Sequence, residues 1–443
     1  MTDNTPKSDY LKEIPACEIL AKIEKGEPVE YDQIIIDGAL NLSELELPRN
    51  DLELFCIMSK IKITNSIITS AIDFNNAIIL HELDFSGNSF KGDACFHKTQ
   101  FSKANFIGSE FCGNADFGWA YFRETATFGA ARFKAITWFI GTQFRGHAYF
   151  VGARFEGETR FTKIVLRGQA LFREIEFLNM ADFEGANFSG VVSFEKAKFN
   201  GPAYFKEANF SGRAYFCKVT FLAVGDFRKS RFNMPISFIE AHFAKEADFR
   251  FADFEKKVDF EKASFMTDVY FSDAQFKSDS LSFREAKFSH PTDQEYISRI
   301  AKQLLEHHGD RDEAGYYFYR EMESKRKQKP WFTRYPEYIF IQLIFGYGVH
   351  PWRLMAWWSI TVITFAVFYW IGSQLDGATQ LFDYVKFSLA TAIAPGYIAT
   401  IISIGSTGYK LAPAYQAVAI MESIFGTFLW AAFIATFAKK YMR

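Results

Sequence analysis

Glu422 is the residue with most to account for. It stands alone as an ionisable side chain in the apolar run Ala412 to Ala438, ahead of Lys439, Lys440 and Arg443. A charged carboxylate facing lipid costs about 2.5–3.5 kcal/mol, so Glu422 must face protein or water. Two roles suit it: a structural hydrogen bond to the back of the loop that precedes it, or a direct part in ion passage or gating. Four residues on, Gly426 is either a hinge or a site of close helix packing, and packing is preferred. Upstream, Ser388 and Thr391 carry hydroxyls that can meet an ion in transit or bond their own helix backbone. Pro395-Gly396-Tyr397 then breaks any helix. Irregular backbone at membrane depth is tolerated only where protein or water receives its N–H and C=O groups, so this stretch should line something wet.

Other chemistry is absent. The sequence offers no nucleophile beside a base, no phosphate-cradling loop and no paired carboxylates in a predicted cleft, so no enzyme and no cofactor are expected. His307-His308 falls at a predicted helix end, where a solvated cap fits better than a metal site, which needs more ligands. Cys17, Cys56, Cys95, Cys112 and Cys217 are scattered, with no Cys-x-x-Cys pair. That pattern suits a reducing compartment and supports neither a metal nor a disulfide framework. The N-terminus has no apolar run of the kind a secretory signal needs.

Two elements must position Glu422. The segment Trp352 to Ile371, with Arg353 at its entrance, is long enough at about 1.5 Å per residue to cross a bilayer core of about 30 Å, and so is Ala412 to Ala438. Between them, Leu381 to Tyr397 is too short and too polar to span, which predicts a segment that dips into the membrane and returns. The cluster Lys325, Arg326, Lys327, Lys329 and Arg334 precedes the first span, whereas the loop from Gly372 to Leu411 carries only Lys386 and Lys410. Positive charge favours the cytoplasmic side, so both termini are expected there, in a multi-pass protein of the cell (inner) membrane.

With Phe387-Ser388-Leu389-Ala390-Thr391 at the end of the dipping helix and Glu422-Ser-Ile-Phe-Gly426 on the second span, residues 345 to 438 resemble the two-transmembrane-helix pore domain of the potassium-channel-like family. The resemblance implies a homo-oligomer, four subunits around one axis, and permeant inorganic ions. It places the pore loop at Thr391, Ala394, Pro395, Gly396, Tyr397 and Ile398. A second alignment places it at Thr407, Gly408 and Tyr409. Neither run keeps the second glycine of the family's Thr-x-Gly-Tyr-Gly, whose carbonyls replace the hydration shell of potassium. A less selective or differently selective pore is the expectation.

The rest of the chain is organised by phenylalanine, which occurs 52 times in 443 residues. From Ile63 the apolar marks fall at Ile68, Phe74, Ile79, Phe85, Phe90 and Phe96, continue through Phe117, Phe122, Phe128 and Phe133, and end at Phe288. Spacings of five and six alternate, and alanine stands two residues before many marks, as at Ala94, Ala115, Ala126, Ala181 and Ala247. Marks five apart in a helix lie about 140° apart on its surface, so a helix is excluded. A coil of short straight edges, each Phe stacking on the one a turn away, satisfies the pattern. It resembles the pentapeptide-repeat family, which implies a right-handed quadrilateral β-helix with about ten turns over residues 63 to 288.

The domain reading follows: 1–62, a capping helix (8–25) and imperfect first repeats; 63–290, the β-helix; 291–334, a helical hairpin; 335–350, an interfacial helix; 351–443, the pore-like membrane domain. Outward residues of the coil mix signs, as in Arg173-Glu174 and Glu195-Lys196, and the net charge is −2. Nucleic acid is not an expected partner, nor is the coil an acidic mimic of DNA. The coil is expected to serve a cytoplasmic protein partner or to sense a cue. Two functions are therefore carried forward: an oligomeric ion channel with a cytoplasmic sensing coil, and a membrane-anchored scaffold that does not conduct.

Overall fold

The computed structural model describes residues 11–278, 281–372, 375–376, 378, 380–393, 410–411 and 415–441. These form two compact units that divide between Asp293 and Gln294.

The first unit is a β-solenoid. Each turn lays down four strands of mostly two residues, for instance Glu110–Phe111, Ala115–Asp116, Tyr121–Phe122 and Ala126–Thr127, before Arg132–Phe133 begins the next. Every strand pairs in parallel with the one a turn later, Phe133 with Phe155 and Ala126 with Ala148. One face carries thirteen strands, giving about twelve turns. Strand spacing dictates the core: paired turns lie about 4.8 Å apart, and the Phe133 and Phe155 rings stack with centroids at 4.5 Å and planes at 1°. Rings on different faces meet edge-on, as Phe117 and Phe128 do at 85°.

The beat slips in places, and each slip is a register change. The offset between turns is 22 residues from Ala126 to Ala148, falls to 21 from Phe90 to Phe111, and widens to 23 from Phe265 to Phe288. Two kinds of corner close each turn. One is a tight turn whose third residue has left-handed backbone, as at Lys163 (φ 56°), with Ile164 N bonding back to Phe161 O at 3.1 Å. At the other kind, successive turns crowd: a Cβ on Gly168 would fall on the backbone carbonyl of Gly146.

Strands begin at Lys12, well before the phenylalanine beat. Lys12–Pro15 pairs with Ile34–Asp37, and Ile14, Ile36, Ile57 and Ile63 occupy the inward positions that Phe takes later. The coil there is aliphatic, and a detour between Asn41 and Phe55 widens one offset to 32, Val29 pairing with Ile61. That detour is why no period is visible in the sequence. The capping helix is correspondingly shorter than 8–25: α1 spans Ala16–Glu24 and buries Ile19, Leu20 and Ile23. Pro15 disfavours helix in the residue before it, and the preceding residues are held as a strand instead. At the other end, Asp293 Oδ2 accepts from Val269 N at 3.3 Å, satisfying a strand donor left by the last turns. Burial there pushes its carboxyl pKa up.

In the second unit α2 (Pro291–His308) and α3 (Arg311–Lys327) form a hairpin. Gly309 supplies the left-handed backbone of the turn (φ 83°), and Asp310 Oδ1 caps α3 by accepting from Glu313 N at 3.1 Å. Residues 335–350 do not make one interfacial helix. They are divided among α4 (Trp331–Glu337), a π-helical stretch (Tyr338–Ile344) and a 3-10 turn (Gly346–Gly348). Pro336 lacks an N–H to continue the ladder, and Gly346, Tyr347 and Gly348 all have positive φ. Three mutually packed helices follow: α5 (Pro351–Ile371), α6 (Leu381–Ile393) and α7 (Gln416–Tyr441). Leu375–Asp376 and Lys410–Leu411 pair as a short antiparallel ladder between them.

Candidate functional site

α5 and, within α7, Gln416–Ala438 are long and apolar enough to cross a membrane, and only 28% of each apolar window is buried inside the chain. The helix core of a soluble protein would hide most of such a surface. Here the exposed residues are large and apolar, among them Ile363, Ile371, Ile424 and Phe428.

Glu422, Tyr369, Ser388 and Thr391 lie inside. Tyr369 of α5 donates through its hydroxyl to Glu422 Oε2 of α7 at 2.9 Å. Ser388 of α6 shares its proton between Glu422 Oε1 and the Val362 carbonyl, the latter 2.8 Å away. One carboxyl group thus ties all three helices, with Glu422, Ser388 and Tyr369 each 0% exposed. Phe387 seals the site from one side, its ring edge-on to Tyr369 at 5.5 Å. Ala366, Leu375, Tyr384, Leu411 and Ala419 complete the apolar wall.

The other expected residues fall around this tie. Thr391 is buried, and its hydroxyl donates to Phe387 O of its own helix at 2.9 Å. Gly426 sits where α7 crosses α6, and a Cβ there would come within 2.6 Å of Ala392 Cβ. The close approach of the two helices therefore needs a residue without a side chain. Ala394, Pro395, Gly396, Tyr397 and Ile398, and the alternative Thr407, Gly408 and Tyr409, lie outside the described residues. Ser423 Oγ and Thr427 Oγ1, beside Glu422 and Gly426 on α7, are buried with no partner among the described residues.

A second polar junction joins α3 to the start of α5 through Gln342, which is 7% exposed in the π-helical stretch. Arg326 Nε donates to its Oε1 at 2.7 Å, its Nε2 donates to Tyr319 OH at 3.0 Å, and Arg353 Nη1 donates to its backbone O at 3.2 Å. Trp357 Nε1 reaches Leu343 O at 3.3 Å. Wider winding is common where a helix is interrupted for function. Here it turns the Gln342 side chain inward among residues that otherwise read as a uniform apolar run.

No group of three or more metal-binding side chains occurs among the described residues. A family model described as pentapeptide repeats (9 copies) matches residues 120–165, 183–231 and 238–288. These turns of the solenoid are built of pentapeptide repeats. The matched stretches lie where phenylalanine fills the repeat's inward positions, and the aliphatic first turns lie outside them. Among curated proteins and solved structures, nothing matches the chain.

Sequence reasoning did not find Tyr369 or Gln342. Gln342 leaves a faint signal, a lone amide in the apolar run Ile339 to Phe345, whereas Tyr369 shares its segment with Ser359, Thr361 and Thr364. Tyrosine at a membrane boundary has an ordinary explanation, so only its position opposite Glu422 reveals the role.

Proposed function

We propose that this chain is one subunit of an oligomeric ion channel of the cell membrane, four copies around an axis, with a non-standard filter and a cytoplasmic pentapeptide-repeat coil. One observation carries the reading: α6, at 13 residues, is about 20 Å long and too short to span, yet it is held between two spanning-length helices by the Glu422 tie. A mere anchor needs one apolar helix and gains nothing from a carboxyl group at its centre, whereas a loop that must be presented to ions needs such a brace. One such hairpin cannot enclose a path, so the reading requires neighbouring subunits.

In this mechanism Glu422, Tyr369 and Ser388 hold the dipping helix, Thr391 is buried within the subunit, and Gly426 against Ala392 gives α7 a discrete seat on α6. Gating would be a change of that seat, biased from the α2–α3 hairpin through Arg326, Gln342 and Arg353. The membrane-anchored scaffold is the second reading, favoured by the missing filter glycine after Tyr397 and Tyr409.

Current across a planar bilayer holding the purified protein tests both. Under a potassium chloride gradient, and then with sodium in place of potassium, discrete unitary currents are expected. Their reversal potentials give the sign and the preference of the permeant ion. Silence from protein shown to be inserted and tetrameric, with and without membrane tension, overturns the channel and leaves the scaffold.

A further inference from the structure

Several charged residues on the coil are paired with the opposite sign on a neighbouring turn. Glu82 pairs with Lys103, Glu110 with Lys134 and Glu184 with Lys206, each at 2.8 Å, and Lys277 joins Asp253 at 2.8 Å and Glu255 at 2.6 Å. One face carries a column of like charge instead. Tyr121, Gln143 and Val165 stand in register on three successive turns, and two residues beyond each comes an exposed arginine: Arg123, Arg145 and Arg167. The ladder bonds Arg145 N to Phe122 O and Arg167 N to Phe144 O confirm the alignment. Among the described residues none of the three side chains makes an ion pair or a hydrogen bond.

Three like charges about 4.8 Å apart repel. No carboxylate relieves them on their own face. The outward rows there read Lys98-Gln100-Ser102, Trp119-Tyr121-Arg123, Gly141-Gln143-Arg145, Lys163-Val165-Arg167 and Gly185-Asn187-Ser189, and the nearest acid in sequence, Glu124, sits on the adjoining corner. At the opposite edge of the face Trp119 is 55% exposed on left-handed backbone (φ 57°). A bulky residue in that conformation is strained. A Cβ on Gly141 would lie 2.9 Å from the Trp119 ring, so that glycine leaves room for the ring.

We infer that this face of the coil is a docking surface for an acidic segment of a partner protein, lying along the coil axis with its carboxylates on Arg123, Arg145 and Arg167 and an apolar side chain against Trp119. Guanidinium groups bind carboxylates bidentately, and the long arginine side chains absorb the mismatch between the turn spacing and the roughly 6.7 Å repeat of one face of an extended peptide. A nucleic acid is a poorer fit: tight phosphate binding draws on roughly 6–10 contacts, more than Lys98, Lys163 and the three arginines supply. The inference rests on the solenoid alone and does not depend on whether the membrane domain conducts.

The test uses the full-length protein in detergent and a fluorescent peptide of alternating glutamate, roughly twelve residues long so as to overrun three turns, with a glutamine peptide as control. Saturable binding of the glutamate peptide is expected, weakening with salt. The triple variant Arg123→Gln, Arg145→Gln, Arg167→Gln should bind it at least about tenfold less tightly. The same variant should melt no lower than the parent, because repulsion is removed, which separates docking from a structural role. Trp119→Ala should weaken binding while leaving the salt slope unchanged. Equal binding by parent and triple variant overturns the inference, as does tighter arginine-dependent binding of single-stranded DNA or of anionic phospholipid vesicles than of the peptide.

Discussion

The two units differ in what they leave exposed and in where they keep polar groups. In the solenoid the interior is phenylalanine, alanine and isoleucine, and charges sit outside in ion pairs between turns. In the membrane-type unit Glu422, Ser388, Thr391 and Ser423 are at most 1% exposed, whereas Trp352, Ile363, Ile371 and Phe425 are each more than half exposed. The exposed apolar surface lies on the two helices long and apolar enough to cross a membrane. Apolar burial drives folding only where water is the alternative. Where lipid is the alternative, packing and hydrogen bonds must hold helices together, and a buried carboxyl group bonded to two hydroxyls does so.

That contrast can be broken most severely at the solenoid core. Phe183 stacks on Phe161 at 4.6 Å and Phe205 at 4.9 Å with no exposure. Phe183→Ala should cost about 3–5 kcal/mol, seen as a lower denaturant midpoint of the β-rich circular dichroism, with helices α5 to α7 unaffected. A wild-type midpoint would show that the ladder is not what holds the turns.

In the membrane unit the damaging change removes a polar group. Glu422→Ala leaves the Tyr369 hydroxyl unpaired in a dry interior, at about 1–3 kcal/mol, and leaves Ser388 only the Val362 carbonyl, whereas Glu422→Gln keeps both hydroxyls within reach and should lose less. The melting temperature of the detergent-solubilised protein checks the order. If Ala were no worse than Gln, the tie would not bear on stability.

Gly426→Leu should cost about 1–3 kcal/mol by overpacking against Ala392 and shift any gating measured in a bilayer. A tolerated leucine would favour a hinge over the tight seat.

The smallest effect concerns Glu321 in the α2–α3 hairpin, outside the spans. Its side chain is 3% exposed. Burial opposes its ionisation, but bonds from Lys302 and Lys325, both at 2.7 Å, overcome this and hold it below the ordinary carboxylate range. Because its folded pKa is the lower one, its stabilisation is complete above the unfolded Glu value of about 4.3 and is lost as pH falls through the folded value. Limited proteolysis between α2 and α3 should therefore accelerate in acid, and Glu321→Gln should flatten that response.

The sequence carried the solenoid almost whole, because one side chain per edge must face inward in every turn and phenylalanine writes that demand as a period. It also carried the two helices long and apolar enough to cross a membrane, and it singled out Glu422 as a charge in a long apolar run. The first turns were less legible: Ile14, Ile36 and Ile63 fill the same inward positions, but the detour from Asn41 to Phe55 erases the period. Only the tertiary structure decided that Tyr369 and Ser388 are the partners of Glu422, that Ala392 is what Gly426 makes room for, and that Gln342 joins α3 to α5. Those contacts unite residues up to 53 positions apart, on helices whose rotation about their own axes no local pattern specifies. The unpaired arginine column lay between the two. Its spacing was in the sequence, but only the register of the turns shows that Arg123, Arg145 and Arg167 stand side by side.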